Sequence, residues 1–175
     1  MGATMNGPKF LVDGMLGSLA RKLRVFGFDT LYLAGAQDEK LLDLARRQHR
    51  IIVTADGQLS ARSVRKGLSC IPVRGNTDGV RLKEVLSGAE RVGVSLTQGP
   101  SRCALCNGVL RKTAKGELRA LPEGVVSRHR LFYVCGDCGQ VYWRGTHWKK
   151  LRRLRARSWP KKGLTEQRGR TLDVS

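Results

Sequence analysis

The sequence is poor in acidic residues and contains no long apolar run. It has 14 Asp and Glu against 33 Lys and Arg, which gives a formal net charge of +19. No stretch reaches the roughly 18 consecutive apolar residues that a membrane-spanning helix needs, and no secretory leader is recognisable, so we expect neither a membrane protein nor an exported one. With 41% apolar residues among 175, the chain can still bury an ordinary core. This excludes disorder for most of its length.

Several catalytic patterns are also missing. No Ser-His-Asp or Cys-His arrangement can be assembled with any specificity, and no phosphate-binding glycine motif follows a strand in the required form. These absences argue against nucleophilic hydrolases and against nucleotide-binding folds of the usual kinds.

The excess positive charge lies mainly in the last part of the chain. Residues 1–100 contain 15 basic and 9 acidic side chains, whereas residues 101–175 contain 18 and 5. Basic side chains interleaved with Trp predict binding to phosphates and unpaired bases, and therefore RNA as the partner. The alternative for this segment is a solvated basic helix that ends before Pro160. The candidate RNA-binding residues are Arg144, His147, Trp148, Lys149, Lys150, Arg152, Arg153 and Arg155.

Four of the five cysteines form two Cys-x-x-Cys pairs. Cys103 and Cys106 are separated by 28 residues from Cys135 and Cys138. Two such pairs can present four thiolates to one zinc ion, so the spacing predicts one structural zinc and a reducing, cytoplasmic location. Cys70 lies alone in an apolar stretch and is predicted to be a packing residue.

Strand and helix patterns alternate over the first hundred residues. We predict strands at residues 9–12, 30–33, 51–54 and 68–73, and helices at 15–26, from Asp38 onward, at 57–66 and at 78–86. The first helix is predicted to expose Arg21, Lys22 and Arg24. Strands separated by single helices form parallel β-α-β units. The predicted fold class is therefore α/β, with helices on both faces of a parallel sheet.

Acidic residues follow three successive predicted strands. Asp13 comes directly after the first, Asp38 and Glu39 open the helix after the second, and Asp56 lies two residues after the third. The carboxyl ends of parallel strands share one edge of the sheet, where α/β folds bind ligands. Carboxylates gathered there need either a cation or protonation of some of them. In so basic a protein the pattern predicts Mg²⁺ or Mn²⁺ and phosphodiester hydrolysis by metal-activated water. Each acid taken alone also fits a helix cap or a turn residue.

Several segments together resemble a known ribonuclease family. The segments are FLVD at 10–13, LG at 16–17, LAR at 19–21, DE at 38–39, IIVTAD at 51–56, SRCALCNG from Ser101 and VCGDCGQVYWRGTHW from Val134. They are similar to the ribonucleases of PIN-like fold that carry a C-terminal zinc ribbon, known from the Mut-seven C-terminal domain. The resemblance covers about residues 9–150.

The resemblance implies roles for individual residues. Asp13, Asp38 and Asp56 would be the catalytic, metal-binding acids, and the four paired cysteines would hold zinc. A fourth catalytic acid is also implied, for which Asp78 fits better than Glu84. Ala55 stands where the family usually has Arg, so a basic side chain that grips phosphate is not expected there.

These observations predict three parts of the chain and one leading function. The parts are a PIN-like nuclease domain at 9–98, a small β zinc ribbon at 99–148 and a basic, partly disordered RNA-binding tail at 149–175. The leading hypothesis is a Mg²⁺- or Mn²⁺-dependent ribonuclease. The alternative is a non-catalytic RNA-binding subunit of a ribonucleoprotein such as the ribosome.

Overall fold

The computed structural model describes residues 7–114 and 123–159, except for the side chains of Glu123, Val126, Thr146 and His147. The strands are β1 (Lys9–Val12), β2 (Asp29–Tyr32), β3 (Ile51–Thr54), β4 (Cys70–Pro72), β5 (Leu110–Ala114), β6 (Leu131–Cys135) and β7 (Val141–Trp143). The helices are α1 (Gly17–Val25), α2 (Asp38–Gln48), α3 (Gly57–Arg65), α4 (Asp78–Arg91), α5 (Glu123–Val126) and α6 (Thr146–Ser158). A 3₁₀ turn, Gly14–Leu16, leads into α1.

The first four strands form a parallel sheet in the order β2-β1-β3-β4. Every predicted strand is present, and β3 has the predicted bounds because all four of its residues are β-branched. The strand predicted at 68–73 is shortened to β4, since the Leu68 N–H turns back to the Ser63 carbonyl and closes the end of α3. The predicted helix at 78–86 extends to Arg91, because Ala89 continues its buried side.

Helices cover both faces of this parallel sheet. Phe10 and Val12 point to the face that carries α1 and α4, while Leu11 points to the face that carries α2 and α3. Their alternation follows from the two-residue period of a strand. The predicted α/β arrangement is therefore confirmed, and Cys70 packs at the border of the second core as expected.

Helix α6 returns to the sheet after the cysteine-containing segment. Leu151, Leu154 and Trp159 pack against the core under α1 and α4, and the Trp159 ring stacks on Phe28 at 5.8 Å between centroids. The Ser158 hydroxyl donates to the Gly79 carbonyl. The segment is thus helical through Ser158, as the alternative predicted, but the helix is packed against the core on one side and is not solvated all round. The remainder of the predicted tail lies outside the described residues.

We call residues 102–114 and 123–143 the cysteine module. Its strands form an antiparallel sheet in the order β5-β6-β7, and Arg102 bridges to Val109 beside it. The module contacts β2, the edge strand of the parallel sheet, through Asn107. The Asn107 side chain accepts from the Thr30 N–H and donates to the Asp29 carboxylate, both at 2.9 Å.

None of the helices in the described part of the chain is long and apolar enough to cross a membrane.

Candidate functional site

The four paired cysteines converge on one point. Their sulfur atoms all lie within 4.8 Å of one another. Two of the separations are 3.6 Å, from Cys103 to Cys138, and 3.3 Å, from Cys106 to Cys135. Four thiolates around zinc at about 2.3 Å each would be about 3.8 Å apart, so the cluster has the dimensions of a tetrahedral zinc site.

Two tight turns bring these sulfurs together. Asn107 and Gly139, each directly after the second cysteine of its pair, have φ angles of 73° and 72°. Asn and Gly are the residues that adopt this left-handed conformation most readily. Gly108 is required for a further reason, because a Cβ at this position would lie 2.8 Å from the Cys135 sulfur.

The Tyr142 hydroxyl supports the first turn. It accepts from the Ala104 N–H and lies 3.1 Å from the Cys103 sulfur, to which it can donate. Burial favours the neutral thiol, but the hydrogen bond from Tyr142 and the backbone amides around it outweigh burial and lower the pKa of Cys103 to about 6. The thiolate of Cys103, the form that binds metal, is therefore favoured at neutral pH, whereas burial and neighbouring sulfurs raise the pKa of Cys106 and of Cys138.

Arg24 also contacts this turn, although the sequence pattern assigned it to the solvent face of α1. It is 4% exposed, so that assignment is wrong. Its guanidinium donates to the carbonyls of Thr30, Ala104 and Leu105 at 2.8–2.9 Å. Burial lowers the pKa of Arg24, while the neighbouring cysteines act in the opposite direction. The sequence could not reveal this because the burying residues follow about 80 positions later.

The second group of interest is the acidic edge, which we define as Asp13, Asp38, Glu39, Asp56 and Asp78 at the carboxyl ends of the strands and the helix starts beside them. Two of these acids, Asp13 and Asp56, are linked by the Thr54 hydroxyl at the end of β3. This hydroxyl donates to Asp13 Oδ2 at 2.8 Å and accepts from the Asp56 N–H at 2.9 Å. Asp13 is further fixed by its N–H, which donates to the Val53 carbonyl. The end of β1 and the end of β3 are thus joined by one side chain.

Asp56 also caps the helix that follows it. Its Oδ1 accepts from the N–H groups of Gln58 and Leu59 at the start of α3. This is the ordinary N-cap role that the sequence left open for a single acid. Oδ2 of Asp56 and Oδ1 of Asp13 have no hydrogen-bond partner in the described residues, so each carboxylate retains one uncommitted oxygen.

The other members of the acidic edge are held by basic side chains. Arg62 of α3 donates to Asp38 at 2.8 Å and also pairs with Glu39, which is bonded by Lys66 as well. These contacts tie the start of α2 to α3. Lys66 and Arg62 lower the pKa of Glu39, so this carboxyl is ionised at neutral pH.

Asp78 and Glu84 have local roles as well. Asp78 accepts from Lys22 at 2.6 Å and from Ser18 at 2.7 Å, which joins the start of α4 to α1. Glu84 accepts from the N–H groups of Arg74 and Gly75.

Metal-ligand clustering separates the cysteines from the acids. Within residues 7–114 and 123–159, the four cysteines are the only group of three or more potential metal ligands whose ligand atoms lie close together. The carboxylates share an edge of the sheet but do not converge in this way.

The candidate RNA-binding residues lie on and beside α6. Lys149, Lys150, Arg152 and Arg153 are exposed. Arg155 instead donates to Gln98 at 2.6 Å and lies over the Trp159 ring. Arg144 lies over the Trp148 ring, and the side chain of His147 is outside the described residues. The exposed basic surface therefore comprises Lys149, Lys150, Arg152, Arg153 and Arg157.

Comparison with known proteins now identifies the family. The family model described as the Mut7-C RNAse domain matches residues 8–155, which span the parallel sheet, the cysteine module and most of α6. The chain belongs to this family. No curated protein and no solved structure matches it. Membership of the Mut7-C RNAse family gives the protein a ribonuclease-related function with RNA as the substrate.

Several side chains that hold the two sites of this Mut7-C chain in place are not indicated by the sequence. The strand pattern predicts only a strand position for Thr54, whereas its hydroxyl joins Asp13 to the Asp56 N–H. Asn107 and Tyr142 lie inside the motifs of the resemblance, but their partners are distant in sequence. No local pattern points to the contacts of Arg24.

Proposed function

We propose that this protein is a metal-dependent ribonuclease of PIN-like fold, whose active site is centred on Asp13 and Asp56. The observation that carries the proposal is the hydrogen-bonded link from Asp13 through Thr54 to Asp56. It lies between β1, whose connection leads to β2 on one side, and β3, whose connection leads to β4 on the other. Such a switch point is the usual ligand site of an open α/β sheet.

The donor set suits a hard cation. Mg²⁺ is commonly bound by one or two carboxylates, several waters and the phosphates of the substrate. Asp13 and Asp56 each offer one uncommitted oxygen, and a substrate phosphate would supply the missing ligands. Asp38 and Asp78 are proposed as further acids of the catalytic site, which would have to exchange Arg62 and Lys22 for the cation or its waters.

A bound Mg²⁺ or Mn²⁺ would lower the pKa of a coordinated water and stabilise the leaving oxygen of a phosphodiester. The chain's own contribution is to fix the carboxylates. Thr54 orients Asp13, and the amides of α3 orient Asp56. Arg62 keeps positive charge beside the acidic edge, where it would favour the approach of an RNA phosphate.

The cysteine cluster is proposed to hold one structural zinc, and the cysteine module to be a zinc ribbon. Sulfur ligands at tetrahedral spacing suit zinc, and four of them leave no open position for catalysis. Residues 9–98 are proposed as the nuclease domain. The basic surface of α6, together with Arg144, His147 and Trp148, is proposed to bind the RNA backbone.

A second function has one specific observation in its favour. The ion pairs of Asp38 with Arg62 and of Asp78 with Lys22 give both acids partners within the fold. In a non-catalytic RNA-binding subunit of a ribonucleoprotein, these acids would serve only as scaffold. RNA binding would then persist without cleavage.

The experiment that separates the two functions measures RNA cleavage against divalent ion. Zinc-loaded protein, with its zinc content measured before and after, is incubated with single-stranded RNA with no added ion, with Mg²⁺ and with Mn²⁺. Omitting the ion is preferable to adding a strong chelator, which would also attack the cysteine site. We expect cleavage that requires Mg²⁺ or Mn²⁺ and that falls at least about 100-fold in Asp13→Asn, because a metal ligand is lost.

Asp43→Asn is the matched control. Asp43 is an exposed acid on α2 that pairs with Arg47 and lies outside the acidic edge. Its substitution should leave the cleavage rate unchanged. RNA binding by wild-type protein without cleavage under any of these conditions would favour the non-catalytic subunit.

A further inference from the structure

Arg24 is a buried cation that has no acidic partner in the described part of the chain. Of the charged side chains described, it is the one that is buried. The ion pairs among these residues all involve other basic side chains, and Asp29, the acid beside Thr30, is paired with Arg50. A buried charge is strongly destabilising unless an opposite charge offsets it.

The hydrogen bonds of Arg24 point toward the cysteine cluster. Two of them go to the carbonyls of Ala104 and Leu105, which lie between Cys103 and Cys106. These bonds use the N–H groups of Nη1, but carbonyls carry no formal charge. Four thiolates with one Zn²⁺ carry a net charge of −2, since each deprotonated cysteine contributes −1. Such a centre would supply the negative charge that offsets Arg24.

We infer that Arg24 is the charge partner of a zinc–tetrathiolate centre and that it couples zinc occupancy to the parallel sheet. This inference rests on the zinc site proposed above. In this account Arg24 is a positioning residue. Its guanidinium bonds to carbonyls and not to a cysteine sulfur, so it would act by fixing the turn that carries two of the four ligands.

The coupling runs through one residue of the edge strand β2. The Thr30 carbonyl accepts from Arg24, and the Thr30 N–H donates to Asn107, which directly follows Cys106. The Arg102 N–H, next to Cys103, donates in turn to the Arg24 carbonyl at 2.9 Å. The first cysteine turn is thereby joined to α1 and β2 by backbone and side chain alike. Loss of zinc would loosen this turn and uncover the edge of the sheet.

The first test compares zinc affinities by competition with a chromophoric chelator. Arg24→Met removes the charge and the donors but keeps most of the apolar volume. We expect its zinc affinity to fall about 10- to 100-fold, as is typical when a partner of metal ligands is removed. Arg24→Lys keeps the charge and should retain an intermediate affinity. The control is Arg21→Met, an exposed position on the same helix, which should bind zinc like the wild type.

A second measurement separates this role from a merely structural one. The melting temperature of each variant is measured with zinc bound and after zinc removal. Our inference predicts that the stabilisation given by zinc is smaller in Arg24→Met than in the wild type, because binding and stability are linked. If both forms of Arg24→Met are destabilised equally, so that the zinc-dependent difference is unchanged, the inference is refuted.

The wild-type chain provides a test that needs no substitution. Amide hydrogen exchange is followed with zinc bound and removed. We expect removal to speed exchange of the β2 amides, Thr30 above all, more than that of β3 in the middle of the sheet. Equal protection of β2 in both forms would contradict the coupling. A purified chain that neither contains nor takes up zinc would refute the zinc assignment itself, and the metal analysis would show this before any Arg24 variant is made.

Discussion

The cysteine cluster and the acidic edge differ in how closely the chain brings their potential metal ligands together. The four sulfurs lie within 4.8 Å of one another and are supported by Tyr142, Asn107 and Arg24. The carboxylates of the acidic edge are spread along strand and helix ends. They are held by a hydroxyl, by helix amides or by basic side chains.

We propose that this difference corresponds to two kinds of metal chemistry. A closed set of sulfur ligands leaves no place for a substrate and is suited to stabilising a fold. An open set of oxygen ligands leaves places for water and for phosphate, as a hydrolytic site requires. The following predictions test this division, beginning with the largest expected effect.

Cys135→Ser should have the largest effect on stability. Structural zinc contributes on the order of 10 kcal/mol in small zinc domains, and here the module is joined to the sheet through Arg24 and followed by α6. We expect loss of the proposed zinc and a large fall in melting temperature that includes the parallel sheet, measured by elemental analysis and circular dichroism. Cys70→Ser is the matched control and should keep the zinc. A sheet that melts normally in Cys135→Ser would show that the two regions are independent.

Thr54→Val should reduce cleavage while leaving the zinc site intact. The substitution preserves shape but removes the hydroxyl that joins Asp13 to Asp56. By analogy with other residues that orient metal ligands, we expect RNA cleavage to fall about 10- to 100-fold at unchanged RNA affinity. Thr113→Val, in β5 of the cysteine module, serves as the control. Wild-type cleavage by Thr54→Val would mean that Asp13 needs no positioning by this hydroxyl.

Asp29→Asn should have a smaller effect that depends on pH. Burial alone would raise the pKa of Asp29, but hydrogen bonds from Arg50 and Asn107 outweigh it and lower the pKa. An acid with a lowered pKa in the folded state stabilises the fold above its unfolded pKa of about 3.9, and this stabilisation is lost as the pH falls. We expect Asn to destabilise the fold by about 1 kcal/mol at pH 6, with the difference shrinking toward pH 3 in denaturant unfolding. A difference that is independent of pH would contradict the ion pair.

The parts of the fold that could be predicted from the sequence are those set by local patterns. The four β-branched residues of β3 define a strand, and the spacing of the cysteines defines their cluster. The surroundings of the acids could not be predicted in this way. Arg62 reaches Asp38 from another helix, and Arg24 is buried by residues about 80 positions further on. Such pairings depend on tertiary packing, which leaves no periodic trace in the sequence.

The basic surface of α6 should give the smallest effect. Because α6 packs into the core, we favour substitution over truncation: Lys149, Lys150, Arg152 and Arg153 are changed together to Gln. We expect weaker RNA binding and a flatter dependence of log affinity on log salt, by roughly 0.7 for each phosphate that the variant no longer neutralises. Gln at the exposed Arg46 and Arg47 of α2 is the control. Equal salt dependence in both variants would exclude α6 as the RNA-binding surface.

The most direct test of the proposed division is Mn²⁺ binding with and without RNA. Zinc-loaded protein is titrated with Mn²⁺ at low temperature, and the free ion is followed by electron paramagnetic resonance, with and without a short single-stranded RNA. An acidic edge that is completed by substrate phosphate predicts weak Mn²⁺ binding alone, clearly tighter binding with RNA, and loss of that gain in Asp13→Asn. Mn²⁺ binding that is unaffected by RNA, or that survives in Asp13→Asn, would contradict an open catalytic site at this edge.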